Sequence, residues 1–189
     1  IEKINEHKTG MISIEQRVDY SCICKEGFGT ADLLVVDEDA IEVVDLKFGK
    51  GLRVDAIDNS QLRLYALGAV DNFNFLYGAK KVKMTIMQPR LDHISTDEME
   101  VEDLLKWGEE EVKPKADLAY AGEGEFNPGE HCIWCLVKDG CRARAQANME
   151  LAKLDFKDAP LLTDLEVVMV LEQIDDLVKW AKDVEKFAY

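Results

Sequence analysis

The sequence predicts an α/β fold, because four short segments read as strands while later segments carry apolar residues at helical three- and four-residue spacings. Composition supports this: 189 residues, 47% hydrophobic and 32% charged with only 4 Pro, belong to a globular chain with a real core. These values exclude disordered, collagenous and coiled-coil readings. The longest apolar runs, such as Val167 to Leu171, fall far short of the roughly 20 residues that a membrane span needs. No membrane association is therefore expected.

The first strand is read over Met11 to Cys22, with Ile12, Ile14, Val18, Tyr20 and Cys22 on an apolar face and Ser13, Glu15, Arg17, Asp19 and Ser21 on a wet one. Gly27-Phe-Gly29 interrupts, and Thr30 to Val36 forms a second strand. After the acidic turn Asp37-Glu-Asp39, a third strand runs from Ile41 to Phe48, antiparallel to the second because the connection is short. Gly49-Lys-Gly51 ends it, and Ile57, Leu62, Leu64, Tyr65 and Leu67 predict a partly buried helix between Ala56 and Val70. Lys81 to Gln88 alternates again and Pro89 closes this fourth strand. Thr96 is read as the N-cap of a helix through Leu104, Leu105 and Trp107 towards Val112. Helical composition returns from Cys141 to Leu154, and Pro160 and Thr163 start a final amphipathic helix, Leu165 to Phe187. The chain thus divides into a core over 1–121, a cysteine-bearing segment over 122–150 and a C-terminal amphipathic helix over 151–189.

Charge limits the function classes. With 23 Lys+Arg against 38 Asp+Glu the net charge is −15, which argues against a protein that coats nucleic acid over its whole surface. A local basic site would draw on residues such as Lys50, Arg63 and Arg90. In the third strand, alternation puts Asp45 and Lys47 on one face with Leu46 on the other, and Asp32 on the preceding strand can lie beside Asp45. Two carboxylates next to a lysine suit hard Mg2+ or Mn2+, with the Leu46 carbonyl between the two side chains as a further oxygen donor. Asp-x-Lys alone is a common tripeptide. The order Asp32, then Asp45-Leu-Lys47, then Gln61 and Tyr65 four apart on one helix face is more informative.

That series resembles the RecB-like branch of the PD-(D/E)XK nuclease superfamily over roughly Gln16 to Arg144. Gly27-Phe-Gly-Thr-Ala-Asp32, Asp45-Leu-Lys-Phe-Gly-Lys-Gly51, Asn59-Ser-Gln61-Leu-Arg-Leu-Tyr65-Ala-Leu-Gly68 and Gln88-Pro-Arg90 are similar to an uncharacterised phage and prophage group within it. The resemblance implies a restriction-endonuclease-like mixed β-sheet of four or five strands flanked by helices, with a cysteine-bearing C-terminal helical lobe. It implies that Asp32, Asp45 and the Leu46 carbonyl ligate Mg2+ or Mn2+, that Lys47 is the catalytic lysine, and that Gln61 and Tyr65 line the site. Members often place a further metal ligand on an N-terminal helix, and Glu15 is the substitute offered here, against a plain surface role. Arg63, Lys50 and Arg90 are the candidate DNA contacts.

Cys132-x-x-Cys135 followed by Cys141 reads as metal or cluster ligation before disulfides. Cluster-bearing relatives of this branch, the CRISPR-adaptation and AddAB-type nucleases, hold a [4Fe-4S] cluster with one upstream and three downstream cysteines. Cys132, Cys135 and Cys141 match the downstream three, whereas the upstream ligand expected before the nuclease strands is absent: either it lies N-terminal to Ile1, or Cys22 or Cys24 substitutes, or the cluster is not assembled; His131 could give zinc a fourth ligand but is read first as an exposed loop histidine. His93 is read as solvent-exposed. Trp107, Trp134 and Trp180 are read as core or interface residues, with base stacking by Trp134 an alternative that no basic neighbourhood supports.

The expected function is a divalent-metal-dependent DNA nuclease, an exonuclease in phage recombination or DNA end processing. The alternative is a catalytically silent nuclease-fold scaffold that docks a recombinase or helicase. A thiol redox role for the Cys132 motif is disfavoured by the third cysteine and by the lack of a thioredoxin-like pattern. With no signal peptide in view, the expected location is the cytoplasm of a bacterial or phage-infected cell. A chain that opens on Ile1 without an initiator Met is expected to be part of something longer.

Overall fold

The computed structural model describes residues 10–49, 51–152 and 164–188. The chain divides into two compact units, Ile1–Glu123 and Gly124–Tyr189.

The first unit is a five-stranded mixed sheet with helices. Its strands are β1 (Met11–Asp19), β2 (Phe28–Val36), β3 (Ala40–Leu46), β4 (Lys81–Gln88) and β5 (His93–Glu100), lying side by side in sequence order. β3 and β4 are parallel and every other neighbouring pair is antiparallel. The parallel pair requires a crossover, which helix α1 (Ser60–Tyr77) supplies. The Asn59 side chain accepts the Leu62 N–H at 3.1 Å to start that helix, and Gly78, at φ 69°, ends it in the left-handed conformation that glycine adopts without strain.

α1 packs on one face of the sheet. Leu34, Val36, Ile41, Val43, Met84 and Ile86 from the strands meet Leu62, Ala66, Leu67, Ala69 and Val70 from the helix in a single buried cluster. Gly68 lets the helix approach β1, since a Cβ there would stand 3.0 Å from the Asp19 carbonyl oxygen.

Two expectations are corrected here. The apolar face assigned to the first strand does not hold: Ile14 is 67% exposed and Ile12 is exposed too, whereas Val18 is fully buried. Glu15 sits at φ 49°, and the β1–β2 ladder skips it, so the faces exchange at that residue. The strand also ends at Asp19, before a turn over 21–26. Thr96 caps no helix, because it lies within β5, paired with Thr85 of β4. The inward-facing residues of that edge strand include His93, Ser95 and Asp97, and their polarity masks the period-two pattern.

The helical run that follows starts at Val101, as α2 (Val101–Trp107), passes through a π-helical turn over Gly108–Val112 and continues as α3 (Lys113–Tyr120).

The second unit contains a short 3-10 turn, Glu130–Trp134, and helices α4 (Arg142–Ala152) and α5 (Asp164–Ala188). Arg144, almost fully buried, donates from Nη1 to Asp183 Oδ2 at 2.7 Å and ties these two helices together. The predicted start of the last helix at Pro160 and Thr163 lies outside the described residues. No helix among the described residues is long and apolar enough to cross a membrane.

Candidate functional site

The β2–β3 ladder runs from Val36↔Ile41 to Leu33↔Val44 and stops there. One residue further on, the strands no longer pair through backbone, and Asp32 Oδ2 accepts the Leu46 N–H at 2.6 Å. A side chain thus takes over from the ladder, and this holds Asp32 against the end of β3. On the other side of β3 the ladder is extended by one bond, since the Lys47 N–H donates to the Met87 carbonyl at 2.9 Å.

Asp45 is buried at 7% exposure. Lys47 Nζ lies 2.9 Å from Asp45 Oδ2 and donates to Gln61 Oε1 at 3.2 Å. The amide nitrogen of Gln61 donates to Asp45 Oδ1 at 3.3 Å and lies 3.1 Å from the Tyr65 hydroxyl. One amide at the start of α1 therefore orients the carboxylate, the ammonium and the phenol together. Asp45 Oδ2, also buried, makes no further hydrogen bond and is met by the Lys47 ammonium as an ion pair. A buried carboxylate at the same strand end as a second carboxylate is the kind of oxygen donor that a hard divalent cation takes. Among the described residues, no three His, Cys, Asp or Glu side chains are grouped to hold a metal ion. Mg2+ binds through one or two carboxylates, keeping several of its waters.

Glycine is required next to this constellation. A Cβ on Gly29 would collide with the ring of Tyr65, so the opening of β2 can lie flat against α1 only without a side chain there.

The loop from Lys47 to Asn59 joins the two halves of the site, and three side chains from β4 and β5 hold its backbone. Gln88, buried, accepts the Val54 N–H at 2.8 Å and donates to the Leu52 carbonyl at 3.1 Å. His93 Nε2 lies 3.1 Å from the Val54 carbonyl and 3.0 Å from Asp55 Oδ1. Ser95 Oγ accepts the Ala56 N–H at 2.9 Å. The expectation of an exposed His93 is corrected by this, since its ring is 9% exposed and belongs to the loop support. Sequence reasoning missed the three supports; the only signal available was the Gln88-Pro-Arg90 motif, noted for its resemblance and not for this bonding.

The remaining candidates are placed as follows. Glu15 is exposed, in the gap of the β1–β2 ladder between Ile14↔Leu33 and Gln16↔Ala31, which is the register position facing Asp32. Arg63 is mostly covered: its Nη2 lies 2.6 Å from Asp58 Oδ1 and 3.6 Å from Asp97 Oδ2, and its guanidinium stands 5.6 Å from the Trp107 ring centre. Arg90 is exposed, with its guanidinium 5.5 Å from the centre of Phe48. Lys50 lies outside the described residues.

In the second unit, Cys132 and Cys135 bracket the end of the 3-10 turn, and the Cys135 N–H donates to the Cys132 carbonyl at 3.1 Å. Cys141 immediately precedes α4, and its carbonyl accepts the Ala145 N–H at 3.0 Å. All three thiols are free. A cubane cluster or a closed zinc site takes four ligands, and among the described residues these three cysteines form no ligating group as placed. In the first unit, burial pushes the Cys22 and Cys24 thiols up, with Asp71 adding to this at Cys22 and Asp117 at Cys24.

Fold and site together define an α/β protein with a mixed sheet and a carboxylate–lysine constellation at the open end of its central strand. The chain belongs to the family DUF2800, described as a protein of unknown function, whose match spans residues 1–189. Among solved structures it is similar to one titled "Crystal structure of SSO0001", at 17% identity and a TM-score of 0.36, over 72% of this chain and 60% of that chain. At that TM-score the likeness adds nothing to the fold assignment.

Proposed function

We propose that this chain is a divalent-metal-dependent DNA nuclease of the RecB-like, restriction-endonuclease-like type, an exonuclease that hydrolyses phosphodiester bonds in phage recombination or DNA end processing. The observation that carries the reading is the buried Asp45 carboxylate, held by Lys47 at one oxygen and by Gln61 at the other, at the strand end where Asp32 is fixed on the Leu46 N–H. Asp32, Asp45 and the Leu46 carbonyl would hold Mg2+ or Mn2+. When bound, the ion supplies charge stabilisation at the phosphoryl group.

The chain's own residues do the rest. Gln61 holds the Lys47 ammonium through its carbonyl beside Asp45, which fixes a charge otherwise carried on a flexible four-carbon stem. There Lys47 donates to a phosphoryl oxygen or to the water that attacks phosphorus in line with the departing ester oxygen. Asp32 keeps the end of β3 in place through Leu46, so the two carboxylates keep their spacing as substrate enters. Cys132, Cys135 and Cys141 would hold a [4Fe-4S] cluster, or Zn2+, only with a fourth ligand.

A scaffold reading has one specific observation in its favour. The second unit exposes Phe126, Trp134 and Leu136, the last at 99%, which suits docking to a recombinase or helicase. Mn2+ titration followed by its electron paramagnetic signal separates the two readings. A nuclease site binds Mn2+ and loses it with Asp45→Ala, whereas binding that is absent, or indifferent to Asp45→Ala, removes the nuclease reading.

A further inference from the structure

The topology places the carboxylate–lysine constellation at one end of the sheet. β3 and β4 are parallel, so Lys47 after β3 and Arg90 after β4 lie at the same end, and antiparallel β2 begins there with Phe28. β1 closes at that end too, with Arg17 two residues before its last. Two arginine–phenylalanine pairs thus share an end with Asp32, Asp45 and Lys47. Arg17 stands 3.8 Å from the ring centre of Phe28, and Arg90 stands 5.5 Å from that of Phe48. Both rings face solvent, Phe48 at 64% exposure and Phe28 at 53%.

These cations are unusual in their setting. In a chain of net charge −15, other basic groups near this end are matched to carboxylates: Arg53 to Asp55, Arg63 to Asp58 and Lys47 to Asp45. Among the described residues, neither Arg17 nor Arg90 has a carboxylate within ion-pair distance; each is set against an exposed ring instead. In both pairs the guanidinium lies over one face of the ring, closely at Phe28 and more loosely at Phe48, and at the solvent-exposed Phe48 a base can stack on the ring while its phosphate meets the Arg90 cation. Within a duplex every base is stacked on its neighbours, and only the terminal pair leaves one face open. An apolar protein surface would cover the rings and bury the charges unpaired, at a cost.

We propose that Phe48 and Arg90 form a base-stacking subsite next to Lys47 that seats an unpaired nucleotide of the DNA strand, with Phe28 and Arg17 as a second platform. This rests on the nuclease reading and gives the site its substrate form, an unpaired strand end. Phe48 follows the catalytic lysine directly, so a base stacked there places its own phosphate close to the metal-binding carboxylates.

The test is fluorescence anisotropy of the full chain with a labelled single-stranded oligothymidylate and with a blunt duplex, in Ca2+, which takes oxygen ligands as Mg2+ does. The variants are Phe48→Ala, Phe48→Trp and Arg90→Ala. The parent is expected to bind the single strand more tightly than the duplex. Phe48→Ala should weaken single-strand binding by roughly 5- to 150-fold, Phe48→Trp should restore it, and duplex binding should not change. Unchanged single-strand affinity in Phe48→Ala overturns the subsite, as does equal loss on both probes. A parent that is dimeric by sedimentation and becomes monomeric in Phe48→Ala also overturns it, by making the ring a protein contact. A parallel cleavage assay in Mg2+ separates this from the nuclease reading. Phe48-dependent binding without cleavage sinks only the nuclease, and cleavage with Phe48-independent binding sinks only the subsite.

Discussion

Asp32 and Leu46 lie fourteen residues apart in sequence and are joined by a 2.6 Å hydrogen bond from the Leu46 N–H to the Asp32 carboxylate, at the point where the β2–β3 ladder ends. The bond lets the strands part without leaving the N–H unpaired, and the parting makes room for a site. Two substitutions separate the structural role of Asp32 from its charge. Asp32→Ala should destabilise the fold by about 0.5–1.5 kcal/mol, since the exposed N–H exchanges its acceptor for water. Asp32→Asn keeps an acceptor and should melt within about 0.5 kcal/mol of the parent, yet lose Mn2+ binding. Chemical denaturation of the three proteins, with metal titration beside it, checks both.

Gly29 and Tyr65 form the second testable contact. Gly29→Ala sets a methyl against the aromatic ring and should cost about 1–3 kcal/mol. Removing the ring should relieve the clash, so Gly29→Ala combined with Tyr65→Ala should cost less than the sum of the two single changes. Additive losses in thermal melts would show that the ring is not what excludes a side chain at Gly29.

The loop supports predict a site-specific opening. Gln88→Ala removes both partners of Val54 N–H and Leu52 C=O at once and should cost about 1–3 kcal/mol. Gln88→Glu keeps the acceptor for Val54 but sets an oxygen against the Leu52 carbonyl, so it should not rescue. Hydrogen exchange at Val54 should accelerate in both variants, with exchange in β3 much less affected.

The fold was legible where burial follows the sequence simply. β4 was read with its observed bounds because Val82, Met84 and Ile86 are all buried against α1 and Pro89 ends the run. β5 was not, because an edge strand turns polar His93, Ser95 and Asp97 inward, where they bond the loop or a neighbouring helix instead of filling a core. The exchange of faces at Glu15 was equally hidden: no residue type announces a positive φ at a glutamate. Within the site, Asp45, Lys47, Gln61 and Tyr65 were legible because strand alternation and the four-residue helical spacing are local rules. The bond from Asp32 to Leu46 depends on where a ladder stops, and local patterns carry no trace of that.

The second unit carries a pH prediction. The hydrogen bond from Arg144, with Lys138 3.6 Å away, holds the Asp183 carboxyl below its usual range, against a smaller opposing effect of burial. A depressed carboxyl stabilises the fold above its ordinary value and loses that contribution as pH falls through its folded value. Asp183→Asn should therefore lower the melting temperature at neutral pH, and the difference from the parent should shrink below about pH 4. A difference that persists unchanged into acid would mean that the charge is not what joins α4 to α5.

The most direct measurement of the central claim is the decay of end-labelled linear DNA in Mg2+, with EDTA and a closed circle as controls and Lys47→Ala beside the parent. The account predicts metal-dependent loss of the linear strand, sparing of the circle, and a fall of at least about a hundredfold in Lys47→Ala, since its ammonium is the group placed to meet the developing charge. Equal cleavage by the parent and Lys47→Ala, or no cleavage by a folded parent that binds Mn2+, would contradict it.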